Sequence, residues 1–160
     1  MSKRPAGRLE LLDDVGYLLA RSSGIAVRHT NDALAEVGLR VRQYSVLSAA
    51  CDTGGISQRA LSDFLGLDPS QIVALADELQ RRGLVERVPD PRDRRTRLIT
   101  PTDAGRQVYA QSKAAAEAAS ERSLAPLTDD ERGILRELLR RVVTVTSREP
   151  AVASEASSAR

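Results

Sequence analysis

Arginine is concentrated in one short stretch of this chain, between residues 81 and 97. Seven arginines lie there with three carboxylates, which leaves a local charge of +4, whereas the whole chain of 160 residues carries a formal charge of +2. A guanidinium group is planar, matches the oxygens of a phosphate and can enter a narrow minor groove, where negative potential is concentrated. The stretch therefore predicts contact with duplex DNA. The arginines expected to make this contact are Arg81, Arg92, Arg94, Arg95 and Arg97.

Two short helices joined by a tight turn precede this stretch. Ser57 is a suitable N-cap for the first helix, and Gly66 tolerates the left-handed conformation that ends it. The second helix begins with Asp68 as N-cap and Pro69 in its first turn, and it ends before Gly83. This order of parts predicts a helix-turn-helix. The side chains of the first helix expected to point inward are Ala60, Leu61, Phe64 and Leu65.

The second helix has one apolar side and one side that suits a DNA groove. A buried stripe is predicted from apolar residues at spacings of three and four, namely Ile72, Leu75, Ala76 and Leu79. On the other side, a glutamine can pair with adenine through two hydrogen bonds, and small apolar groups can contact the thymine methyl group. The alternative is an ordinary solvated helix face. The residues of the two helices expected to contact DNA are Ser57, Gln58, Ser70, Gln71, Val73 and Ala74.

A two-stranded hairpin is predicted after the second helix. Residues 84–88 and 95–100 alternate apolar and polar side chains, as strands with one buried face do, and turn-forming residues separate them. Arg92 and Arg94 lie nearest the tip. A helix-turn-helix followed by such a hairpin is a winged helix-turn-helix, and the alternative for the tip is a solubilising charged turn.

Two aspartates within the hairpin, Asp90 and Asp93, are unsuited to contact phosphates. Each carboxylate can instead accept two hydrogen bonds from one guanidinium group. We therefore expect these aspartates to hold Arg95 or Arg97 and to stiffen the wing.

Amphipathic helices are predicted on both sides of the winged unit. One long helix is expected over residues 9–37. Thr100 as N-cap begins the next helix, and Thr128 with Glu131 forms the capping box of a last helix. The apolar stripe of the last helix is too wide for an exposed helix, so 9–37 and 101–146 are expected to pack on a second copy of the chain. That stripe consists of Ile134, Leu135, Leu138, Leu139, Val142 and Val145.

Length and composition indicate one domain. A chain of 160 residues has room for one core, and we divide it into a flexible N-terminus, 1–8, a single domain, 9–146, and a disordered tail, 147–160. The domain is mainly α with a small β-hairpin wing, an α+β fold in which residues 40–100 form the winged helix-turn-helix. Charged residues interrupt the apolar runs, so we expect no membrane span, no signal peptide and a cytoplasmic protein.

Residues suited to catalysis or metal binding are scarce. The chain has one cysteine, one histidine and no carboxylates clustered at the spacing of a metal site, so we expect no enzymatic activity, no metal and no cofactor. Cys51 is either a redox sensor or, as is more common, a small buried hydrophobe. His29, on an otherwise apolar face, suits the core or an interface.

Five segments carry a family resemblance: QYSVL at 43–47, LGLDPSQI at 65–72, ELQRRGLVER at 78–87, DPRDRR at 90–95 and ITPTDAG at 99–105. Together they resemble the MarR family of winged-helix regulators over about residues 9–146. The resemblance implies a dimer joined through its terminal helices, repression, and a small molecule bound between those helices and the winged unit. It also implies that Arg94 enters the minor groove and that Asp93 and Arg95 form a supporting ion pair. Ala74 departs from the family, in which a polar or basic residue is common there.

We therefore interpret the chain as a homodimeric, sequence-specific DNA-binding transcriptional regulator, a ligand-responsive repressor acting on an inverted-repeat operator. Its expected partners are double-stranded DNA, a second copy of itself and a small-molecule effector. One alternative is a regulator that senses thiol oxidation through Cys51, and another is a winged-helix module that binds protein and not DNA. The residues suggested as effector contacts are Tyr17, His29, Tyr44 and Cys51.

Overall fold

Helices dominate the computed structural model, which describes residues 10–146. The helices are α1 (Val15–Leu34), α2 (Val41–Thr53), α3 (Gln58–Leu65), α4 (Pro69–Arg81), α5 (Asp103–Ser123) and α6 (Asp129–Thr146), and the strands are β1 (Ile56–Ser57), β2 (Val85–Pro89) and β3 (Arg97–Pro101). The predicted fold class, mainly α with a small β wing, is confirmed. No helix within 10–146 is long and apolar enough to cross a membrane. The predicted N-terminal segment, 1–8, and tail, 147–160, lie outside the described residues.

The first predicted helix, 9–37, is wrong at both ends. Glu10–Asp13 forms a 3-10 turn, and Asp14 begins α1 by accepting a hydrogen bond from the backbone N–H three residues on at 2.6 Å. An aspartate that caps a helix in this way marks its start and competes with helix before it. At the other end, α1 gives way to a 3-10 turn, Ala35–Val37, which ends at Gly38 with a left-handed φ of 65°.

The predicted N-cap of the next terminal helix is also wrong. Thr100 lies in β3 opposite Glu86 of β2, and Thr102 caps α5 by accepting a hydrogen bond from the N–H of Gly105 at 3.0 Å. Threonine stands on both sides of Pro101, and pairing within the sheet decides which of the two caps the helix. The strands of the hairpin likewise begin one residue (β2) and two residues (β3) later than predicted.

The sheet joins the helix-turn-helix to the wing. Its order is β1–β3–β2, antiparallel throughout, with Ile56 of β1 opposite Ile99 of β3. The sequence pattern does not predict β1, because two residues are too few to show alternation. Ile99 is fully buried in a core to which all the helices from α1 to α5 contribute. The largest fully buried side chains of this core include Leu34, Leu39, Leu47, Leu61, Ile72 and Leu79.

The predicted inward face of α3 is correct except at Phe64. Leu61 is fully buried, and Ala60 and Leu65 pack partly buried against the core. Phe64, in contrast, is 42% exposed. At 100° per residue, Phe64 and Ala60 lie on the same flank of the stripe formed by Leu61 and Leu65, about 80° and 120° from its centre. On this flank the small Ala60 side chain is half-buried, whereas part of the larger Phe64 ring stays in solvent.

Helix α5 is seated on the base of the wing. The N–H of Thr102 donates to the carbonyl of Leu84 at 3.1 Å, and the Thr102 hydroxyl donates to the carbonyl of Gly83 at 2.6 Å. Gly105, in the first turn of α5, lies so close that a Cβ built there would stand 1.9 Å from the carbonyl oxygen of Leu84. Any side chain at this position would therefore displace α5 from the wing. From this seat α5 runs back along α1.

The last helix, α6, stands apart from the other elements. The predicted capping box is present: the N–H of Thr128 donates to the Glu131 carboxylate at 2.8 Å, and this bonding holds the pKa of Glu131 below its usual value. No other described element packs extensively against α6. Leu135 is half-buried, and the side chain of Val145 lies outside the described set. The exposed apolar side chains of the predicted stripe are Ile134, Leu138, Leu139 and Val142.

Candidate nucleic-acid interface

Helix α4 is held against the core so that its opposite side faces outward. Three residues of the predicted stripe are fully buried, and Leu75 is half-buried. The start of the helix is fixed by Asp68, whose N–H donates to Oε1 of Gln71 at 3.3 Å, so this glutamine is half-buried and engaged in the cap. The other outward side chains are exposed, namely Ser70, Val73, Ala74, Asp77 and Arg81.

Hydrogen bonds fix the turn between α3 and α4 and the start of α3. The N–H of Leu67 donates to the carbonyl of Ser62 at 3.3 Å, and the Ser62 hydroxyl donates to the carbonyl of Leu67 at 2.6 Å. The Ser57 hydroxyl caps α3 by accepting from the N–H of Ala60 at 3.2 Å. Ser57 and its neighbour Gln58 are half-buried at this helix start. The rigid turn fixes α4 relative to α3, as a helix-turn-helix requires.

Arg87 of β2 ties the wing to α4. Its guanidinium contacts the Asp77 carboxylate at 2.5 Å and the side-chain oxygen of Gln80 at 2.5 Å. Hydrogen bonds between charged partners are stronger than neutral ones, so the two elements are well coupled. Asp77 belongs to the outward side of α4, and the ion pair therefore places β2 beside that side.

The two wing aspartates support the tip in a way that differs from the prediction. Asp90 accepts from the backbone N–H of Arg92 at 2.8 Å. Asp93 accepts from the backbone N–H of Arg95 at 3.0 Å and from the hydroxyl of Thr96 at 3.0 Å. An aspartate reaches a backbone N–H two residues on more easily than a distant guanidinium, which is the geometry of an Asx turn. Within residues 10–146 neither aspartate forms an ion pair with an arginine, and the implied Asp93–Arg95 pair is wrong.

Because the aspartates bind backbone groups, the guanidinium groups of the tip remain exposed to solvent. Arg97 makes one long hydrogen bond, from Nη1 to the carbonyl of Arg87 at 3.4 Å. Of the seven arginines in 81–97, Arg87 braces the wing and Arg82 binds backbone carbonyls outside it. The predicted DNA contacts that are exposed are Arg81, Arg92, Arg94, Arg95 and Arg97.

A second polar cluster lies between α2 and α5. The Tyr109 hydroxyl donates to Asp52 at 3.0 Å, and the Ser48 hydroxyl donates to the same carboxylate at 3.2 Å. The Tyr44 ring lies beside that of Tyr109, with centroids 5.9 Å apart. Burial, with the neighbouring Tyr109 and Glu117, raises the pKa of Tyr44 to about 12, so this phenol keeps its proton at neutral pH.

The structure brings together two of the four predicted effector contacts. Tyr44 and Cys51 belong to the α2–α5 cluster. His29 lies elsewhere, with Nδ1 2.9 Å from the hydroxyl of Ser123 on α5, and Tyr17 lies in the first turn of α1. Sequence reasoning missed Ser48, Asp52 and Tyr109, because Tyr109 is more than fifty residues from the other two and no local pattern links them.

Cys51 is half-buried and carries a free thiol. Burial raises the pKa of this thiol, and Arg106 only partly opposes the effect. The thiolate is the form that reacts with oxidants, so a raised pKa disfavours a redox sensor. The site therefore favours the reading of Cys51 as a small apolar residue in the α2–α5 cluster.

A helix-turn-helix braced to a hairpin with an arginine-rich tip defines a winged-helix DNA-binding protein. The MarR family model matches residues 37–96. The chain is 45% identical to CouR from Rhodococcus jostii RHA1 bound to p-coumaroyl-CoA, with a TM-score of 0.77 over 83% of this chain and 94% of that one. It is 25% identical to a mutant MarR from E. coli complexed with operator DNA, with a TM-score of 0.75 over 85% of this chain and 99% of that one.

A curated relative gives the same result. The putative transcriptional regulatory protein for the hcr operon of Thauera aromatica is 31% identical over 86% of this chain and 84% of its own length. The chain therefore belongs to the MarR family, and it is a DNA-binding transcriptional regulator. The resemblance found in the sequence is confirmed.

Proposed function

We propose that this chain is a repressor that binds an inverted-repeat operator as a homodimer and leaves it when an aromatic effector binds. One observation carries the proposal: the outward side of α4 and the arginine-rich wing tip lie on one surface of the molecule. Arg87 holds the two parts together, so one unit can place α4 in a major groove and the wing in the flanking minor groove.

The proposed DNA contacts divide into two groups. At the start and middle of α4, Ser70, Gln71, Val73 and Ala74 would contact base edges, with small apolar groups suited to the thymine methyl. Ser57 and Gln58 at the start of α3 would contact the backbone, because helix N-termini bind phosphates. The arginines proposed to bind phosphates and the minor groove are Arg81, Arg92, Arg94, Arg95 and Arg97.

Arg94→Ala should weaken operator binding by about 1 to 3 kcal/mol, or roughly 5- to 150-fold, because the variant loses one guanidinium from the wing tip. The tip is held by Asp90 and Asp93 through backbone groups, so the thermal midpoint should stay unchanged. Fluorescence anisotropy with operator DNA measures the effect. Arg122→Ala, an equal loss of charge at the far end of α5, is the control. Equal affinities for Arg94→Ala and the parent would remove the wing tip from the interface.

The homodimer is supported by the apolar side of α6 and the start of the described chain. Ile134 and Val142 are 62% and 59% exposed on α6. Leu11 and Val15, 51% and 69% exposed, add an apolar surface before and within α1. Exposed apolar surface of this extent is typical of an interface. A two-fold dimer presents two α4 helices to one face of the duplex, so the half-site centres should lie about 10 bp apart.

The effector proposal rests on the α2–α5 cluster and on the ligand of the relative. Tyr44 and Tyr109 present two aromatic rings at a distance suited to ring contacts, and Lys113 places Nζ 6.0 Å from the Tyr109 centroid. CouR is bound to p-coumaroyl-CoA, so we assign an aromatic acid or its thioester to this cluster. Since α2 also packs against α4 and α5 is seated on the wing, a ring between α2 and α5 would shift the DNA-binding surface.

The proposal is tested by selecting bound fragments from the source genome and footprinting them. We expect an inverted repeat, and an insertion of about 5 bp between its halves should rotate one half-site by half a turn and weaken binding at least about 100-fold. The logarithm of the affinity should fall linearly with the logarithm of the salt concentration. An asymmetric site that tolerates the insertion would contradict the dimeric repressor.

The same fragments test the effector. p-Coumaroyl-CoA should lower the affinity for DNA about 5- to 150-fold, the usual range of coupling between two sites. Acetyl-CoA is the matched control that keeps the carrier without the ring, and free p-coumarate keeps the ring without the carrier. Equal effects of p-coumaroyl-CoA and acetyl-CoA would contradict an aromatic site.

A further inference from the structure

Arg82, the residue after α4, reaches back to the connection between α1 and α2. Its Nη1 donates to the carbonyl of Gly38 at 2.7 Å, and its Nη2 donates to the carbonyl of Val37 at 2.9 Å. These carbonyls end the 3-10 turn Ala35–Val37, where the chain leaves with a left-handed φ at Gly38. A cation at such an end satisfies carbonyls that have no partner within the helix. One guanidinium therefore clasps the α1–α2 turn to the end of α4.

The clasp joins the end of α4 to the turn after α1, two elements that do not pack extensively on each other. Helix α4 packs on α2, α3 and β2, all of them within the winged unit. Between α4 and α1 lies a cleft of about 310 Å³, with Val27 on the α1 side and Leu75 and Glu78 on the α4 side. Leu34, the last residue of α1, is buried in one core with Ile72 and Leu79 of α4. Val27, earlier in α1, faces Leu75 across the open cleft, so direct packing between the two helices is confined to the end of α1 next to the clasp. The Arg82 hydrogen bonds act at the edge of this cleft.

The clasp lies at one end of α4, so a small rotation about it produces a large displacement at the other end of the helix. Helix α4 has 13 residues and is therefore about 20 Å long. The proposed base contacts lie at its other end, next to Pro69. A rotation of about 10° around the clasped end would move those contacts by roughly 3 Å over that length, whereas a functional site needs its groups within about 0.5 Å.

We propose that Arg82 is a positioning residue for operator binding, which sets the angle between α4 and α1 and so the separation of the two α4 helices in the dimer. This inference rests on the proposed homodimer. Arg82 differs from Arg81, Arg92, Arg94 and Arg95 because its guanidinium is held by two backbone carbonyls. Lysine keeps the charge but cannot reproduce the planar fork that serves two carbonyls at once.

The first test compares Arg82→Lys with the parent on operators whose half-site spacing is the natural one, or one base pair shorter or longer. The parent should prefer the natural spacing strongly. We expect Arg82→Lys to bind the natural spacing about tenfold less tightly and to lose most of this preference. Arg122→Lys is the matched control and should behave as the parent. Retained spacing preference in a folded Arg82→Lys dimer would overturn the proposal, as would a variant that no longer folds.

A second measurement needs no DNA. Asp63 is exposed on α3. In a chain carrying Asp63→Cys and Cys51→Ala, one spin label is attached to residue 63 of each protomer, and the distance between the two labels reports the separation of the two winged units in the dimer. The distribution of label-to-label distances should be narrow in the chain with Arg82 and at least twice as broad in the Arg82→Lys variant. Equal widths would overturn the proposal. A parent without binding to inverted repeats, or without a dimer distance, would instead refute the proposed homodimer, so the two failures are distinguishable.

If Arg82 instead binds a phosphate, the pattern differs. Lysine would then largely preserve affinity at every spacing, and Arg82→Gln would lower the salt slope by about one. That pattern would also overturn a positioning role.

Discussion

Leu138→Glu combined with Val142→Glu should convert the protein from a dimer into a monomer and weaken operator binding by at least about 100-fold, because a monomer holds one half-site without the avidity of the second. Leu138 and Val142 are 49% and 59% exposed on the apolar side of α6. Burying such a side chain contributes about 1.5 to 3 kcal/mol, and two copies of the chain contribute four side chains to one interface. A carboxylate at either position resists burial in an apolar interface.

Light scattering behind size-exclusion chromatography measures the oligomeric state, and anisotropy measures the affinity. Arg140→Glu is the matched control, because it changes the net charge by the same amount on the opposite side of α6. A chain ending before Leu127 should likewise be monomeric or aggregated. A double variant that remains a dimer with full affinity would show that α6 is not the interface.

Gly105→Ala should lower the free energy of unfolding by about 3 kcal/mol or more, at the upper end of what single substitutions do. The new Cβ would stand 1.9 Å from the Leu84 carbonyl oxygen. Rotation of a side chain cannot relieve a clash with backbone, and this same carbonyl accepts the N–H of Thr102. Either α5 lifts from the wing or β2 moves with it, so DNA affinity should fall as well.

Gly133→Ala in α6 supplies the control for Gly105→Ala. A Cβ at Gly133 meets nothing within 4 Å, and alanine is favoured over glycine inside a helix by about 1 kcal/mol. Thermal and urea unfolding should therefore show opposite signs for the two variants. If Gly105→Ala lowers the free energy of unfolding by no more than Gly133→Ala changes it, the contact between α5 and the wing accommodates a methyl group at little cost.

Local signals predict the helix-turn-helix well. Ser57 and Gly66 bound α3 because a hydroxyl cap and a left-handed glycine act within one turn of the residues they affect. The outward side of α4 follows in the same way, since the spacing of its apolar residues fixes which side chains are left outside. The start of α5 shows where local signals fail. Thr100 precedes Pro101 and Thr102 follows it, so either threonine suits the N-cap, and only the pairing of β3 with β2 places Thr100 in the sheet and leaves Thr102 as the cap.

The roles of the arginines could not be predicted, because they depend on partners distant in sequence. Arg82 binds carbonyls more than forty residues away, and Arg87 binds Asp77 across two elements. Both residues have the same chemistry as Arg94 and lie in the same basic stretch. The α2–α5 cluster is hidden for a similar reason, since Tyr109 meets Asp52 only after α5 folds back.

Ser70, Val73 and Ala74 are exposed on α4, and no side-chain hydrogen bond or ion pair joins any of them to another part of residues 10–146. The core is built from the opposite side of the same helix, and surface substitutions away from such contacts change stability by about 0.5 kcal/mol or less. Under the base contacts proposed for these three residues, the DNA sequence preference can therefore change by mutation without a prior gain in the stability of the fold. In libraries that vary these three positions, most members should fold, and the folded members should differ mainly in the operator sequence that they bind.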